Sequence, residues 1–283
     1  MEFLQLKYFQ TVARYEHITK AAESLHISQP ALSIMISRLE DELGTPLFSR
    51  IGRNIKLNEF GKAFLRHVDS IFCELESSKV EINDMLNIKD DHIAMATTHS
   101  KFLSGILKDF LIAHGEIKIK QAVKQKDIVE RQLKSGEIDL CITFTPIIDK
   151  EIECVKIDED EVVIVVPASH KLAKRKYVNL SELSDELFIT LADSSGYDEF
   201  LYGLCDKAGF MPNVIFDVDD TLMYEMLQLG RGIALVTESV CRKYEHSNLS
   251  IIKIKEPICK MDVSLSWLKG RYLSKTANSF RSL

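Results

Sequence analysis

Leu32, Ile36, Leu39 and Leu43 recur at intervals of three and four residues, the spacing of a single apolar stripe along a helix. Ser28 stands ahead of them as an N-cap, Pro30 falls where a missing N–H costs little, and Gly44 supplies a C-terminal cap. Just upstream, Ala21 and Ala22 are small enough to let that helix cross close above them, and Leu25 and Ile27 bracket a tight turn. The pattern predicts a helix, a turn and a second helix between Thr19 and Gly44. At about 100° per residue, the face opposite the stripe holds Pro30, Ile34, Ser37 and Asp41, with Gln29, Ser33 and Arg38 on its flanks. Small polar groups with one apolar member suit the edges of base pairs: Gln pairs with adenine, Ser with either partner, and an apolar chain with a thymine methyl. Periodicity alone describes an ordinary amphipathic surface helix more readily than a groove reader.

The same kind of reading extends in both directions. Residues 3–15 form a first helix with Leu6, Phe9 and Ala13 on one face. Asn58 caps a long helix running from Glu59 to about Asn87, along which Phe64, Val68, Ile71, Leu75, Ile82 and Met85 step by threes and fours, with Ser78 as a polar gap. Beyond the charged break at 89–91 the rhythm changes to alternating strands and helices. Strands are predicted over 92–97, 117–123, 138–144, 162–167, 187–191, 214–218 and 232–236, and helices over 102–113, 127–135, 197–208 and 223–228. This is the βαβ order of an open α/β sheet, repeated in two units.

A chain of 283 residues accommodates two or three domains, and a hydrophobic fraction of 46% fills real cores. The net charge of -6 has the wrong sign for coating nucleic acid along the whole length, so DNA contact must be local. Lys7, Arg14, Lys20, Arg38, Arg50, Arg53 and Lys56 supply cations within the first sixty residues. The initial residues lack a basic run followed by a long apolar core, and no window approaches the ~20 apolar residues of a membrane span, so a cytoplasmic protein is expected. Six widely spaced cysteines without a C-x-x-C pair read as reduced, mostly buried thiols. No catalytic set is visible: His99 and His114 have no paired nucleophile or metal-spaced partner, and there is no phosphate-binding glycine loop, H-E-x-x-H or G-x-S-x-G. Neither an enzyme, a cofactor nor a metal site is expected.

ITKAAESLHISQPALS, followed by RLEDELGTPLFSR and GRNIKLNEFG, closely resembles the winged helix-turn-helix of LysR-type transcriptional regulators over about the first sixty residues. The remaining chain resembles that family's effector domain more loosely, through GEIDLCI at 136–142, AGF at 208–210 and GRGIALV at 230–236. The resemblance implies a winged helix-turn-helix domain over 1–58 dominated by helices, a linker and dimerisation helix over 59–88, and a two-lobed α/β effector domain over 91–283 of the periplasmic-binding-protein-like type 2 class. Lobe I would span about 91–162 with 265–283, and lobe II about 163–264. Family members often carry a basic or amide residue where this chain has Ile34 and Met35, so an apolar contact is expected at that step. They usually carry proline where Thr237 stands.

The implied function is sequence-specific DNA binding controlled by a small-molecule effector held between the lobes, with a homodimer or tetramer on a pseudo-palindromic operator. DNA contacts are assigned to Thr19, Lys20, Ser28, Gln29, Pro30, Ser33, Ile34, Ser37 and Arg38, and to Arg50 and Arg53 of the wing over 47–57. Ligands in open α/β sheets collect beyond the carboxyl ends of strands. That rule assigns the effector to Thr97, Thr98, Ser100, Gln125, Lys126 and Thr143 in one lobe, and to Ser194, Ser195, Gly196 and Thr221 in the other. Hydroxyls and helix N-termini there suit a carboxylate or a phosphate, and Asp193, Asp217, Asp219 and Asp220 are reconciled with a carboxylate that also carries an amine, as an amino acid does. The alternative is a cytoplasmic small-molecule binder or enzyme with a vestigial DNA-binding head.

Overall fold

The computed structural model describes residues 1–282 except 52–53, 87, 89–91, 99, 116, 193–196 and 242–247. It divides into two compact units, Met1–Leu86 with Lys134–Glu137 and the remainder of the chain.

The first unit contains α1 (Phe3–Tyr15), α2 (Ile18–Ser24), α3 (Gln29–Leu43), the hairpin strands β1 (Phe48–Ile51) and β2 (Asn54–Leu57), and α4 (Glu59–Met85). The capping residues act as their types require. Ser28 Oγ accepts the Ala31 N–H at 3.3 Å, Gly44 closes α3 at φ 71°, and Asn58 Oδ1 accepts the Gly61 N–H at 2.8 Å. Gly61 is also where α4 crosses the chain before the hairpin, since a Cβ there would lie 2.1 Å from the Leu47 carbonyl oxygen. Leu6, Phe9, Val12, Ala21, Ala22, Leu32, Ile36, Leu39, Leu47 and Val68 form the core. The apolar seam of α4 therefore splits: Phe64 and Val68 belong to this core, whereas Ile71, Leu75, Ile82 and Met85 are 42%, 39%, 54% and 72% exposed.

The second unit opens with a parallel trio: β3 (His92–Thr97) lies between β4 (Lys118–Val123) and β5 (Leu140–Thr143), connected through α5 (Ser100–His114) and α6 (Lys126–Lys134). β6 (Ile152–Pro167) then runs for sixteen residues. β7 (Tyr177–Val178) and a short 3-10 turn follow, then β8 (Leu187–Leu191), α7 (Tyr197–Lys207), β9 (Asn213–Val218), α8 (Asp220–Gln228), β10 (Ala234–Thr237) and α9 (Glu238–Cys241). β11 (Leu249–Ile254), β12 (Lys260–Leu268) and α10 (Lys275–Arg281) complete the unit. Among the described residues the main sheet runs β4-β3-β5-β12-β6-β11-β7, with β10 also on β6, and β8 pairs with β9 in parallel.

β6 organises this unit. Its first part, residues 152–161, pairs with β12, and its second part, Val162 to Pro167, lies between β10 and β11. The expected strand over 162–167 is thus only the buried end of a longer one. The preceding IECVKIDEDE reads as an acidic surface segment until β12 is brought beside it. There Lys156 pairs with Asp262 at 2.7 Å and with Glu159, and Lys260 reaches Glu159 at 2.7 Å. The divisions drawn from the sequence after 162 and after 264 fall inside β6 and β12, the second beside a register shift between Val263 and Ser264.

Apolar faces close over both parts. Val129 and Leu133 of α6 cover Ala96, Cys141 and Ile152, while Met223 and Leu227 of α8 cover Val163, Val165, Ile189 and Val236. A charged clamp fixes the start of β5. Arg271 Nη2 donates to Asp139 Oδ1 at 2.9 Å and Nη1 to the Ile138 carbonyl, while Asp139 Oδ2 accepts the Ala94 N–H at 2.8 Å.

Candidate functional site

α3 presents a continuous outer face. Its stripe of Leu32, Ile36 and Leu39 is buried, which turns the opposite side to solvent. Ser28, Gln29, Pro30, Ile34, Ser37 and Arg38 are exposed there, and Ser33 is half-buried. Gln29 Nε2 donates to Ser33 Oγ at 2.8 Å, one turn along. Thr19 and Lys20 are exposed on α2, whose N-terminus is capped by His17 Nδ1 accepting the Lys20 N–H at 3.4 Å. Arg50 belongs to β1, in register with Ile55 of β2, and Arg53 lies outside the described residues.

Glu16 carries no assignment from the sequence, yet it joins this surface to the hairpin. It sits at φ 45° between α1 and α2, its carboxylate accepts the Leu57 N–H at 3.3 Å and its carbonyl accepts that of Ile55 at 3.4 Å. No local pattern marks it, because its partners lie about forty residues away.

In the second unit, the carboxyl ends of β3, β4 and β5 converge. Thr97, Thr98 and Thr143 are buried. The Lys124 N–H reaches the Thr97 carbonyl at 3.0 Å, and the Thr98 N–H reaches that of Ile142 at 3.2 Å. Two assigned side chains are tied to neighbours: Thr143 Oγ1 donates to the Thr145 carbonyl at 2.8 Å, and Lys126 Nζ donates to Thr145 Oγ1 at 2.9 Å and the Pro146 carbonyl at 3.1 Å. Thr98 Oγ1 is buried with no hydrogen-bond partner among the described residues. Gln125 is exposed and its carbonyl opens α6 by accepting the Val129 N–H at 2.9 Å. Ser100 begins α5, while Ser194, Ser195 and Gly196, with Asp193, lie outside the described residues. Thr221 is exposed at the start of α8, where Asp219 Oδ1 accepts its N–H at 2.9 Å, and Asp217 accepts from Thr190 Oγ1 at 3.2 Å.

Thr237 does not offer a spare hydroxyl. It is buried, 3.4 Å from Ser239 Oγ, which in turn donates to Asp160 Oδ2 at 2.7 Å. Asp160, missed in the sequence because it sits within an acidic run, thereby fastens the start of α9 to β6.

Two family models match the chain. One, described as a bacterial regulatory helix-turn-helix protein of the lysR family, covers residues 3–62, and the other, a LysR substrate binding domain, covers residues 92–283. The chain belongs to the LysR family. Among its relatives, the uncharacterized HTH-type transcriptional regulator YybE of Bacillus subtilis is 33% identical over 99% of this chain and 97% of its own. The transcriptional dual regulator GltC of the same organism is 31% identical over 99% and 95%. A full-length OxyR variant from Pseudomonas aeruginosa shares the fold with a TM-score of 0.75 at 18% identity, covering 99% of this chain and 95% of that one. Full-length CbnR in complex with its target DNA superposes with a TM-score of 0.61 at 25% identity, covering 100% and 98%.

This LysR-family chain is a DNA-binding transcriptional regulator with an effector-binding substrate domain, and its relatives are regulators rather than enzymes. The enzyme alternative falls with that finding. Among the described residues no group of His, Cys, Asp and Glu is arranged to hold a metal ion, and no helix is long and apolar enough to cross a membrane. None of the six cysteines forms a disulfide. Burial pushes the Cys141 thiol up to about 12, and those of Cys205 and Cys259 to about 11, which disfavours the thiolate form at all three.

Proposed function

We propose that this regulator works in the cytoplasm as a dimer joined through α4, laying two copies of α3 into successive major grooves of a pseudo-palindromic operator. The observation that carries the DNA reading is the outer face of α3, exposed and mostly small and polar along its length. Thr19 and Lys20 of α2 reach phosphates beside it, and Arg50 and Arg53 of the wing hold the neighbouring backbone or minor groove. The similarity to full-length CbnR, which is complexed with its target DNA, supports the same use of the head here.

The effector sits between lobe I, about 91–162 with 265–283, and lobe II, about 163–264. It is a small carboxylate, and an amino acid is the form that also meets Asp217, Asp219 and Asp220. Thr98 supports this reading because a buried hydroxyl without a protein partner is suited to meet a polar ligand atom. Binding there shifts the population of lobe arrangements and so the placement of the heads, in dimers or in pairs of dimers.

The test is binding of the full-length protein to fragments of its own promoter region. Saturable binding that weakens steeply with salt is expected, because phosphate contacts release counterions. Failure to bind any such fragment above background at low salt removes the reading.

A further inference from the structure

The outer face of α3 carries two details that its packing does not use. Ile34 is 54% exposed at the middle of that face, directly opposite the buried stripe and flanked by Pro30, Ser37 and Arg38. A single exposed isoleucine signifies nothing on an arbitrary surface, but this one stands at the centre of the face proposed above to meet the groove. Gln29, exposed on the flank of that face one turn before Ser33, is the second detail. Its amide gives one proton to Ser33 Oγ at 2.8 Å, which orients the group and leaves the other N–H and the Oε1 lone pairs free.

A free amide donor beside a free amide acceptor matches N7 and N6 of adenine, and an aliphatic chain matches the C5-methyl of thymine. Five residues of helix advance about 7.5 Å, the height of roughly two base-pair steps. We propose that α3 reads A·T pairs about two steps apart: Gln29, positioned by Ser33, takes an adenine edge in a bidentate pair, and Ile34 takes thymine methyl groups. Guanine is rejected at the Ile34 step because the side chain brings no donor to O6 or N7 and strips them of water. The inference rests on α3 being the groove helix, as proposed above, and adds which bases it selects.

Full-length protein is used to select duplexes from a random pool, and the selected site is then altered one atom group at a time. Replacing thymine by uracil removes only the methyl. Replacing adenine by 7-deazaadenine removes only the N7 acceptor. At one thymine, the uracil duplex binds the parent protein roughly fourfold more weakly, the worth of one buried methyl. Ile34→Ala binds both duplexes equally, and Ile34→Val retains the methyl dependence. At one adenine, the deaza duplex costs the parent about tenfold, and Gln29→Ala shows no such difference. Ser33→Ala shrinks the adenine penalty without changing the salt slope, and Ser33→Thr restores it, which separates positioning from general loss of affinity. A selected site with guanine at these steps, or uracil penalties identical in the parent and Ile34→Ala, overturns the proposal. Selection of no duplex at low salt instead removes the groove-helix reading on which it stands.

Discussion

Glu16 fastens the wing at two points, accepting the Leu57 N–H with its carboxylate and the Ile55 N–H with its carbonyl. It does so from φ 45°, a left-handed conformation that costs a residue with a Cβ about 1 kcal/mol relative to glycine. Glu16→Ala keeps that cost and loses the carboxylate, whereas Glu16→Gly loses the carboxylate but relieves the backbone. Chemical denaturation should therefore find the alanine variant less stable than the glycine variant by about 1 kcal/mol. Both should bind DNA more weakly than the parent by a similar factor, because the carboxylate tie to Leu57 is lost in each while the backbone tie to Ile55 is kept. Parent-like affinity in both variants would show that the wing needs no such tie.

What was legible in the sequence follows from how local its causes are. α1 and β3 span the predicted residues, and α3 lies between its predicted caps, because caps and apolar periods act within a few residues. β11, β12 and α10 were missed. β12 carries a period-2 signal, Met261, Val263, Leu265 and Trp267 alternating with Asp262, Ser264 and Ser266, that went unread, although Val263 to Trp267 are all buried between two neighbours. β6 hides ten residues in an acidic run neutralised by lysines from β12 and from itself. The outer face of α3 was readable as a face. The partners of Glu16 and Thr237 were not, since each is fixed by chain remote in sequence or by a buried carboxylate.

Asp139 and Arg271 form a clamp in which the guanidinium is 6% and the carboxylate 18% exposed. Removing one member leaves the other charged and poorly solvated, so Asp139→Ala should cost about 3–5 kcal/mol. Asp139→Asn with Arg271→Met should cost less than Asp139→Ala alone, because neither charge is stranded. Urea midpoints of the parent and the two variants decide this. A loss below about 1 kcal/mol for Asp139→Ala would mean that solvent already compensates Arg271.

The open end of the α4 seam gives a separate test of assembly. Leu75→Glu and Ile82→Glu alter side chains already 39% and 54% exposed, so each chain should fold as before by circular dichroism. Light scattering should nevertheless give half the parent mass. Affinity for a duplex with two half-sites should fall far more than affinity for a single half-site, since the linked second contact is lost. An unchanged mass in both variants would place the dimer contact elsewhere.

Hydrogen bonds from Lys156 and Lys260 hold the Glu159 carboxyl down at about 2, against a usual value of 4.5. A depressed carboxylate stabilises the fold fully above its unfolded value and loses that contribution as pH falls from about 4.5 toward 2. The group is exposed, so the effect is modest and salt-sensitive. Between pH 5 and pH 3, a window set by these values, the urea midpoint of the parent should fall more steeply than that of Glu159→Gln. Raising the salt should bring the two slopes together, and parallel slopes at low salt would contradict the assignment.

Thr98 and Thr143 separate a ligand contact from a structural one, because both hydroxyls are buried but, among the described residues, only Thr143 has a partner. Thr143→Val loses the bond to the Thr145 carbonyl and should lower the stability of the unliganded protein by about 1 kcal/mol. Thr98→Val removes a polar group that has no partner among the described residues, so the unliganded protein should be as stable as the parent or slightly more so. In a thermal-shift series with the common amino acids, any compound that raises the melting point of the parent does so by binding the native state. That rise should disappear in Thr98→Val, since the bound compound would meet a methyl where it needs a hydroxyl. A full shift retained by Thr98→Val, or an unliganded protein destabilised as much as by Thr143→Val, would take Thr98 out of the effector site.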